Sequence, residues 1–345
     1  MLLVYNQPRY NLVVFFSVVH MNIAMVAITI GILCLCVRFL IDYTNEWKRD
    51  CDPVDAVVTW VTSNPVQWKK SFETHCGSKS KNNSYEVSST RYTRKNTSDD
   101  FELKWCLRSI LSFAPWIRTV HLVVADGTHI PSCLTLFSES DLRKINIVYH
   151  DQIFGNHCSL PSFNSNAIET RLHHIPGLAE RFIYFNDDTY LGQPMIPDHF
   201  FEGNRPVFWN NCRWPAPSGA DKSHFSKIVR NTMTKGNIST SEYRFNHLPI
   251  PMTRSLMRKY ETLFVDTCNH RCRYDQDIIP MVLVTSLGVK DKRIVSRDES
   301  RRNVRMLYTT DWKAVRDYRP HMFCINDNTD EEGLENLFVL LGLNR

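Results

Sequence analysis

The feature that most constrains this chain is a short run, Arg181-Phe182-Ile183-Tyr184-Phe185, that passes without a break into Asn186-Asp187-Asp188. A brief apolar and aromatic run of this kind reads as a buried strand. A strand buried along its length belongs in a sheet covered on both faces. Ligands of such sheets sit beyond the carboxyl ends of the strands, where these acids fall.

Other segments repeat the pattern. Val54-Asp55-Ala56-Val57-Val58-Thr59-Trp60-Val61 is a second run of this kind, stopped by Ser63-Asn64-Pro65. Thr119 to Ala125, closed by Asp126-Gly127, and Ile145 to Tyr149 are two more. The spacing of Leu103, Leu107, Ile110 and Leu111 predicts a helix over Glu102 to Phe113, with Asp99 or Asp100 as its cap and Pro115 just beyond. Asn166 to His174, ended by Pro176-Gly177, predicts a second helix, and Thr253 to Leu263 and Ile278 to Leu287 two later ones. Cys76 to Asp100 is polar enough to be a long exposed loop, and Lys290 to Arg305 a basic one. Strands alternating with helices argue for an α/β fold on a mixed sheet. Without a repeat or a linker, residues 51–345 are expected to form one catalytic domain.

The N-terminal part is different in kind. From Leu12 to Val37 the chain is almost continuously apolar, and residues 23–41 come close to the ~20 that a bilayer-crossing helix needs. The length of the run and the lack of a small-residue cleavage site favour a signal anchor over a cleaved signal peptide. Residues 1–22 would then be a cytosolic tail and 42–50 a short stem. Asn82, Asn96 and Asn237 head N-glycosylation tripeptides after this span, and nine of the eleven cysteines also follow it. No paired Cys-x2-Cys knuckles occur, which argues for disulfides rather than zinc; Cys51 and Cys76, flanking a polar segment, are the favoured pair. The net charge of +5 is spread among interleaved acids and bases, which excludes a strong nucleic-acid footprint and suits small anionic partners.

Two clusters carry chemistry. Asp187 and Asp188 can hold Mg2+ or Mn2+ against a diphosphate; they can equally form a turn or a helix cap, and the residues alone leave both readings open. Leu160-Pro161-Ser162-Phe163-Asn164-Ser165-Asn166-Ala167-Ile168-Glu169 is a polar turn entering a helix, able to cradle a sugar or phosphate. Capping alone would account for Ser165 or Asn166.

At these residues the chain resembles the Stealth family of sugar-phosphate transferases. The resemblance runs through four blocks. The first is Val54 to Val61. The second takes in Glu102-Leu103, Leu107-Arg108-Ser109-Ile110, Ala114-Pro115-Trp116-Ile117-Arg118, Asp126-Gly127, His150-Asp151, the 160–169 stretch and Phe182 to Asp188. The third is His247-Leu248-Pro249 with His270 and Arg273, and the fourth Cys324-Ile325-Asn326-Asp327-Asn328. The resemblance implies a GT-A-like, Rossmann-related nucleotide-sugar domain, which the apolar run at 23–41 would precede as one transmembrane helix. It implies transfer of an intact sugar-1-phosphate from a nucleotide-sugar to a hydroxyl of a glycan or glycoprotein, with release of nucleoside monophosphate. By the same resemblance His247, Arg273 and Asp55 are expected to be catalytic. Trp60, Asn164, Ser165, Asn166, Glu169, Asn186 and Asn326 are expected to bind substrate, and Asp187 and Asp188 the metal.

His247 suits a general base, and Arg273 a brace for the transferring phosphate. Without the block match, His247 would read as a satisfied histidine in an extended turn and Arg273 as a surface salt bridge. The first block departs from the family where Thr62-Ser63-Asn64-Pro65 replaces a polar residue and glycine, so the nucleotide-side loop must close differently. A conventional GT-A glycosyltransferase and a non-catalytic glycan-binding membrane protein are the alternatives. The expected setting is a Golgi or other secretory-pathway membrane, in type II orientation with the catalytic part lumenal.

Overall fold

The computed structural model describes residues 52–61, 65–76, 100–128, 130–155, 160–210, 213–298, 304–325 and 330–343. Its strands are β1 (Val54–Thr59), β2 (Val120–Val124), β3 (Ile145–Tyr149), β4 (Arg181–Asn186), β5 (Thr189–Leu191), β6 (Phe201–Glu202), β7 (Arg205–Trp209), β8 (Ile250–Thr253), β9 (Val295–Arg297), β10 (Met306–Thr309) and β11 (Met322–Ile325). The main sheet has five strands in the order β3-β2-β1-β4-β8. The pairs β1–β2, β1–β4 and β2–β3 are parallel, while β8 runs antiparallel to β4. The fold class is therefore mixed α/β, as the alternation of elements implied.

Alternation along each strand divides the interior in two. Ala56, Val58, Leu122, Ile183 and Phe185 enter one core, which the Phe101–Phe113 helix closes with Leu103, Leu107 and Ile110. Val57, Val123, Phe182 and Tyr184 enter the other, beneath the Pro280–Lys290 helix, whose residues Pro280 to Gly288 are all buried. With both faces covered, near-continuous hydrophobic strands are what the arrangement requires.

Register places the functional edge. Thr59 of β1 lies opposite Asn186 of β4 and Val123 of β2, so the parallel strands end together. Because β8 runs the other way, its first residue, Ile250, pairs with Tyr184 near the end of β4. A residue shortly before β8, such as His247, is thereby delivered to that same edge. After β4 the chain turns through Asp187 and Asp188 into β5, where Thr189 pairs with Cys324 of β11.

Several elements differ from the sequence reading. The helix expected over Asn166 to His174 is a Ser165–Glu169 helix followed by a 3-10 turn at Leu172–His174. Thr170 turns its hydroxyl back onto the Ala167 carbonyl at 2.6 Å, and the Arg171 N–H bonds to Ile168, tightening the turn. Thr253 belongs to β8 and caps the shorter Arg254–Lys259 helix through its hydroxyl. The basic stretch after Lys290 contains a strand, β9, paired with β7. A Pro65–Cys76 helix occupies a stretch to which the sequence reading gave no element, with Pro65 at its first position, where the missing N–H costs nothing.

That helix also corrects the disulfide expectation. Phe163 packs edge-on against both Trp68 and Phe72, at 5.7 and 5.5 Å, and its N–H bonds to the Arg271 carbonyl. This brings Cys76 beside Cys272, to which it is bonded with a Cα–Cα distance of 5.9 Å. Cys51, the expected partner, lies outside the described residues. Cys268 is disulfide-bonded as well, and Cys106, Cys133 and Cys324 are buried free thiols.

Residues 1–22, the expected span 23–41 and the stem 42–50 lie outside the described residues, as do Asn82 and Asn96. Among the described residues no helix is long and apolar enough to cross a membrane. Asn237 is exposed, with φ 47°, just past the C-cap of the His224–Lys235 helix.

Candidate functional site

The carboxyl edge of β1 and β4 gathers most of the residues singled out above. Asn186, the last residue of β4, places its amide nitrogen 3.4 Å from His247 Nδ1. His247 Nε2 lies 3.3 Å from Asp188 Oδ2. Nε2–H can donate to the carboxylate, which leaves Nδ1 as the acceptor nitrogen; the Asn186 amide lies almost equally near both, at 3.4 Å from Nδ1 and 3.5 Å from Nε2. Cys324 Sγ donates to the same Asp188 oxygen at 3.6 Å. Burial, then the Asp188 carboxylate, push the Cys324 thiol far up, so it stays protonated.

Beneath this edge runs a second hydrogen-bond line. Tyr184 donates to Glu169 Oε1 at 3.2 Å, and the Thr59 hydroxyl lies 3.0 Å from the Tyr184 oxygen. With Glu169 ionised, Thr59 must then be donor to Tyr184. The other oxygen of Glu169, Oε2, is buried with no hydrogen-bond partner among the described residues. Burial raises the Glu169 pKa to about 7, against the opposing pull of the Tyr184 hydrogen bond and the positive charge of Arg273 and His247. Arg273, half-buried, donates to Ser165 Oγ at 2.8 Å, so Ser165 orients the guanidinium.

The Glu169 shift has a stability consequence. Its folded-state pKa lies above the unfolded value of 4.5, so the stability it permits is fully present below pH 4.5 and falls as pH rises towards 7. At ~1.4 kcal/mol per unit, the loss amounts to about 3 kcal/mol. Glu169→Gln keeps the acceptor for Tyr184 but cannot ionise. Denaturant unfolding at pH 5 and pH 8 should show the variant more stable at pH 8 by about 2–3 kcal/mol and nearly equal at pH 5. Equal stability of the two proteins at pH 8 would show that the buried carboxylate carries no such cost.

Not every expected residue comes to this edge. Asp55 is a correction. It is the second residue of β1, opposite Phe182, and so lies at the far end of the strand from Asn186. Its carboxylate is fully buried and accepts from Arg118 at 2.9 and 2.6 Å, from His121 at 3.1 Å and from the Ala179 N–H at 2.7 Å. Burial would raise its pKa, but the His121, Arg118 and Ala179 hydrogen bonds outweigh it and hold the group below the ordinary value. Every oxygen is spoken for, so Asp55 fastens the sheet rather than meeting a nucleotide.

Trp60 is likewise buried in the core, at 4% exposure. Asn164 is fully buried and knits two segments together: its amide nitrogen donates to Asp277 Oδ2 at 2.8 Å and to the Cys272 carbonyl, while its oxygen caps the next helix through the Asn166 N–H. Asn166 is buried on the first turn of that helix. Asn326 lies outside the described residues. His270, of the third block, is held 2.5 Å from Asp277 Oδ1, which raises its pKa.

Some participants were not anticipated. Thr59, Tyr184, Cys324 and Asp277 enter through pairing partners distant in sequence, which no local pattern reveals. An aromatic wall of Trp214, Phe245 and Tyr308 surrounds His247, with ring centroids 6.5, 6.5 and 6.2 Å from the imidazole. Trp214 and Tyr308 meet edge to face at 4.9 Å.

The donor set at Asp187 and Asp188 fits a hard divalent cation. Two successive carboxylates at the mouth of a strand are what Mg2+ or Mn2+ uses alongside water and phosphate oxygens. Asp187 is only half-buried, and both acids act electrostatically on Cys106 and Cys324 beneath them.

Comparison with known proteins places these elements. Residues 96–207, which include the acids and the 160–169 turn, match the family model described as Stealth protein CR2, conserved region 2. An exopolysaccharide phosphotransferase of Streptomyces coelicolor is 35% identical over 240 residues, covering 66% of this chain and 42% of that protein. A capsular polysaccharide phosphotransferase of Neisseria meningitidis serogroup B is 26% identical over 313 residues, covering 82% of this chain and 79% of that one. A capsular polysaccharide phosphotransferase of Streptococcus pneumoniae, WcwK, is 39% identical over 162 residues, or 47% and 45% of the two chains. The chain thus spans less than half the length of the Streptomyces relative. Among solved structures, the galactosyltransferase LgtC in complex with donor and acceptor sugar analogs aligns with a TM-score of 0.43 and 11% identity over 84% of this chain and 95% of that one, too distant a likeness to carry an argument.

These relatives overturn the Golgi placement. They are bacterial, and bacteria have no Golgi, so a type II secretory-pathway orientation has no support from them. Nor do the described residues hold a membrane-crossing helix. The matched conserved region and these relatives agree on one assignment: the chain belongs to the Stealth family.

Proposed function

We propose that this chain is a sugar-phosphate transferase that moves a sugar-1-phosphate from a nucleotide-sugar to a hydroxyl of a glycan acceptor. The product would be a phosphodiester, with nucleoside monophosphate released. The observation that carries the reading is the meeting of His247, Asn186 and Asp188 at the carboxyl edge of the mixed main sheet, with Arg273 close enough to act on Glu169. A base, a carboxylate pair and a guanidinium are the groups that attack at a phosphorus requires.

In this reading Asp188 fixes the His247 tautomer, leaving Nδ1 as the basic nitrogen. Its contact to Asn186 is long, and an incoming hydroxyl can displace it and give up its proton there. As the new P–O bond forms, the bond from phosphorus to the nucleotide side breaks, and negative charge grows on the non-bridging oxygens. Arg273, held by Ser165, offers two parallel N–H donors to that charge. Asp187 and Asp188 would hold Mg2+ or Mn2+, which neutralises diphosphate charge when bound. The aromatic wall around His247 suits a sugar ring of the acceptor, since sugars present an apolar face to aromatic side chains.

Incubating the purified chain with a panel of nucleotide-sugars and oligosaccharide acceptors tests this directly. The expected result is nucleoside monophosphate by mass analysis together with a phosphodiester-linked product. Nucleoside diphosphate in its place would mean attack at the anomeric carbon, and the phosphotransfer reading would fall.

A further inference from the structure

One ligand set at this edge does not suit a hard cation at all. Asp188 Oδ2, His247 and Cys324 Sγ offer ligand atoms that all lie within 4.8 Å of one another. Sulfur and imidazole are poor partners for Mg2+ but good ones for zinc-class ions. The spacing agrees as well. With Zn–S of ~2.3 Å and Zn–N or Zn–O of ~2.0–2.1 Å, a tetrahedral site has ligand edges of about 3.5 Å between sulfur and oxygen and about 3.3 Å between nitrogen and oxygen. The separations in the structure are 3.6 Å for Cys324 Sγ to Asp188 Oδ2 and 3.3 Å for His247 Nε2 to Asp188 Oδ2. Pairing of β5 with β11 fixes the first edge, and pairing of β4 with β8 delivers His247 to the second.

We propose that Asp188, His247 and Cys324 form a three-ligand site for a zinc-class divalent cation, and that its occupation shuts off transfer. The inhibitory half rests on the proposed transferase reading; the binding half does not. On binding, the Cys324 thiol releases its proton to solvent and a sulfur–metal bond forms, with no change of oxidation state. His247 gives Nε2 to the ion, so its ring proton moves to Nδ1, where the Asn186 amide, turned over, can accept it. The base is thereby consumed, and Asp188 is withdrawn from the hard cation of the donor.

Another cluster of metal-ligating type, His173, His174 and Glu261, serves as an internal contrast. Arg171 donates to the same Glu261 oxygen at 3.1 Å, so a resident positive charge already occupies that carboxylate, and no sulfur is present.

Cobalt(II) is the probe, added to the full chain without reductant so that the disulfides stay intact. The wild type should bind one equivalent and show a thiolate-to-cobalt charge-transfer band. Cys324→Ser should abolish the band and weaken binding by more than the ~10–100-fold that loss of a supporting residue alone brings. His247→Gln should weaken binding while retaining a sulfur band at high cobalt, which guards against a misfolded serine variant. Wild type without the band, or a band that persists in a folded Cys324→Ser protein, overturns the site. Should an active transferase bind the ion yet keep its full rate at saturating zinc, the inhibitory half falls. Failure to transfer from any donor leaves the cobalt result standing and counts only against the functional reading.

Discussion

His247→Ala should lower acceptor-dependent turnover by roughly 10²–10⁴-fold, the usual contribution of a positioned general base, while the Kd for the nucleotide-sugar stays within about two-fold. The split follows from position. His247 reaches the edge from the segment before β8, whereas the expected donor contacts, Asp187, Asp188 and Arg273, arise from other segments. Added imidazole should recover part of the rate, because the cavity left beside Asp188 can admit a free base. A variant that turns over normally, or one that loses donor binding in step with rate, would assign His247 to substrate holding or to structure. Single-turnover measurements with saturating donor would separate the two.

Arg273→Ala should cost about 10²–10³ in turnover, the loss expected when one preorganised donor to transition-state charge is removed. Arg273→Lys should recover little. The ammonium restores the charge but not the planar fork that can bridge two phosphate oxygens. Ser165→Ala supplies the gradation: it removes the hydroxyl that accepts from the guanidinium at 2.8 Å without touching the charge, so a loss smaller than that of Arg273→Ala is expected. Full recovery of rate in Arg273→Lys would mean that net charge, rather than two-point recognition, is what the reaction needs.

Of the five strands of the main sheet, β1, β2 and β4 were visible in the sequence because they are buried on both sides, which leaves an unbroken apolar run. β3 was legible from its β-branched residues although it is only partly buried. The short strands β5 to β11, β8 of the main sheet included, were not, since two to five residues are too few to carry a period of their own. Asp187 and Asp188 stood out because acids directly after such a run have no part in the core. His247 and Arg273 needed the family blocks, for nothing near them in the chain announces that an antiparallel strand and a buried Asn164–Asp277 pair bring them to one edge. Asp55 failed in the opposite way. An acid inside an apolar strand looks functional, yet Arg118, His121 and Ala179, which satisfy it, lie on segments that only the folded sheet brings near.

The Cys76–Cys272 bond ties the oxidation state of the chain to the segment that carries the proposed phosphate brace, Arg273. The two cysteines are 196 residues apart, so in the chain-entropy picture the cross-link removes about 5 kcal/mol of freedom from the unfolded chain. Its location matters more than that sum. Cys272 immediately precedes Arg273, and its carbonyl is one of the acceptors that seat Asn164. The covalent anchor therefore ends one peptide bond from Arg273. On the proposed reading, a chain synthesised with its thiols reduced would carry every side chain of the site and hold that arginine by hydrogen bonds alone.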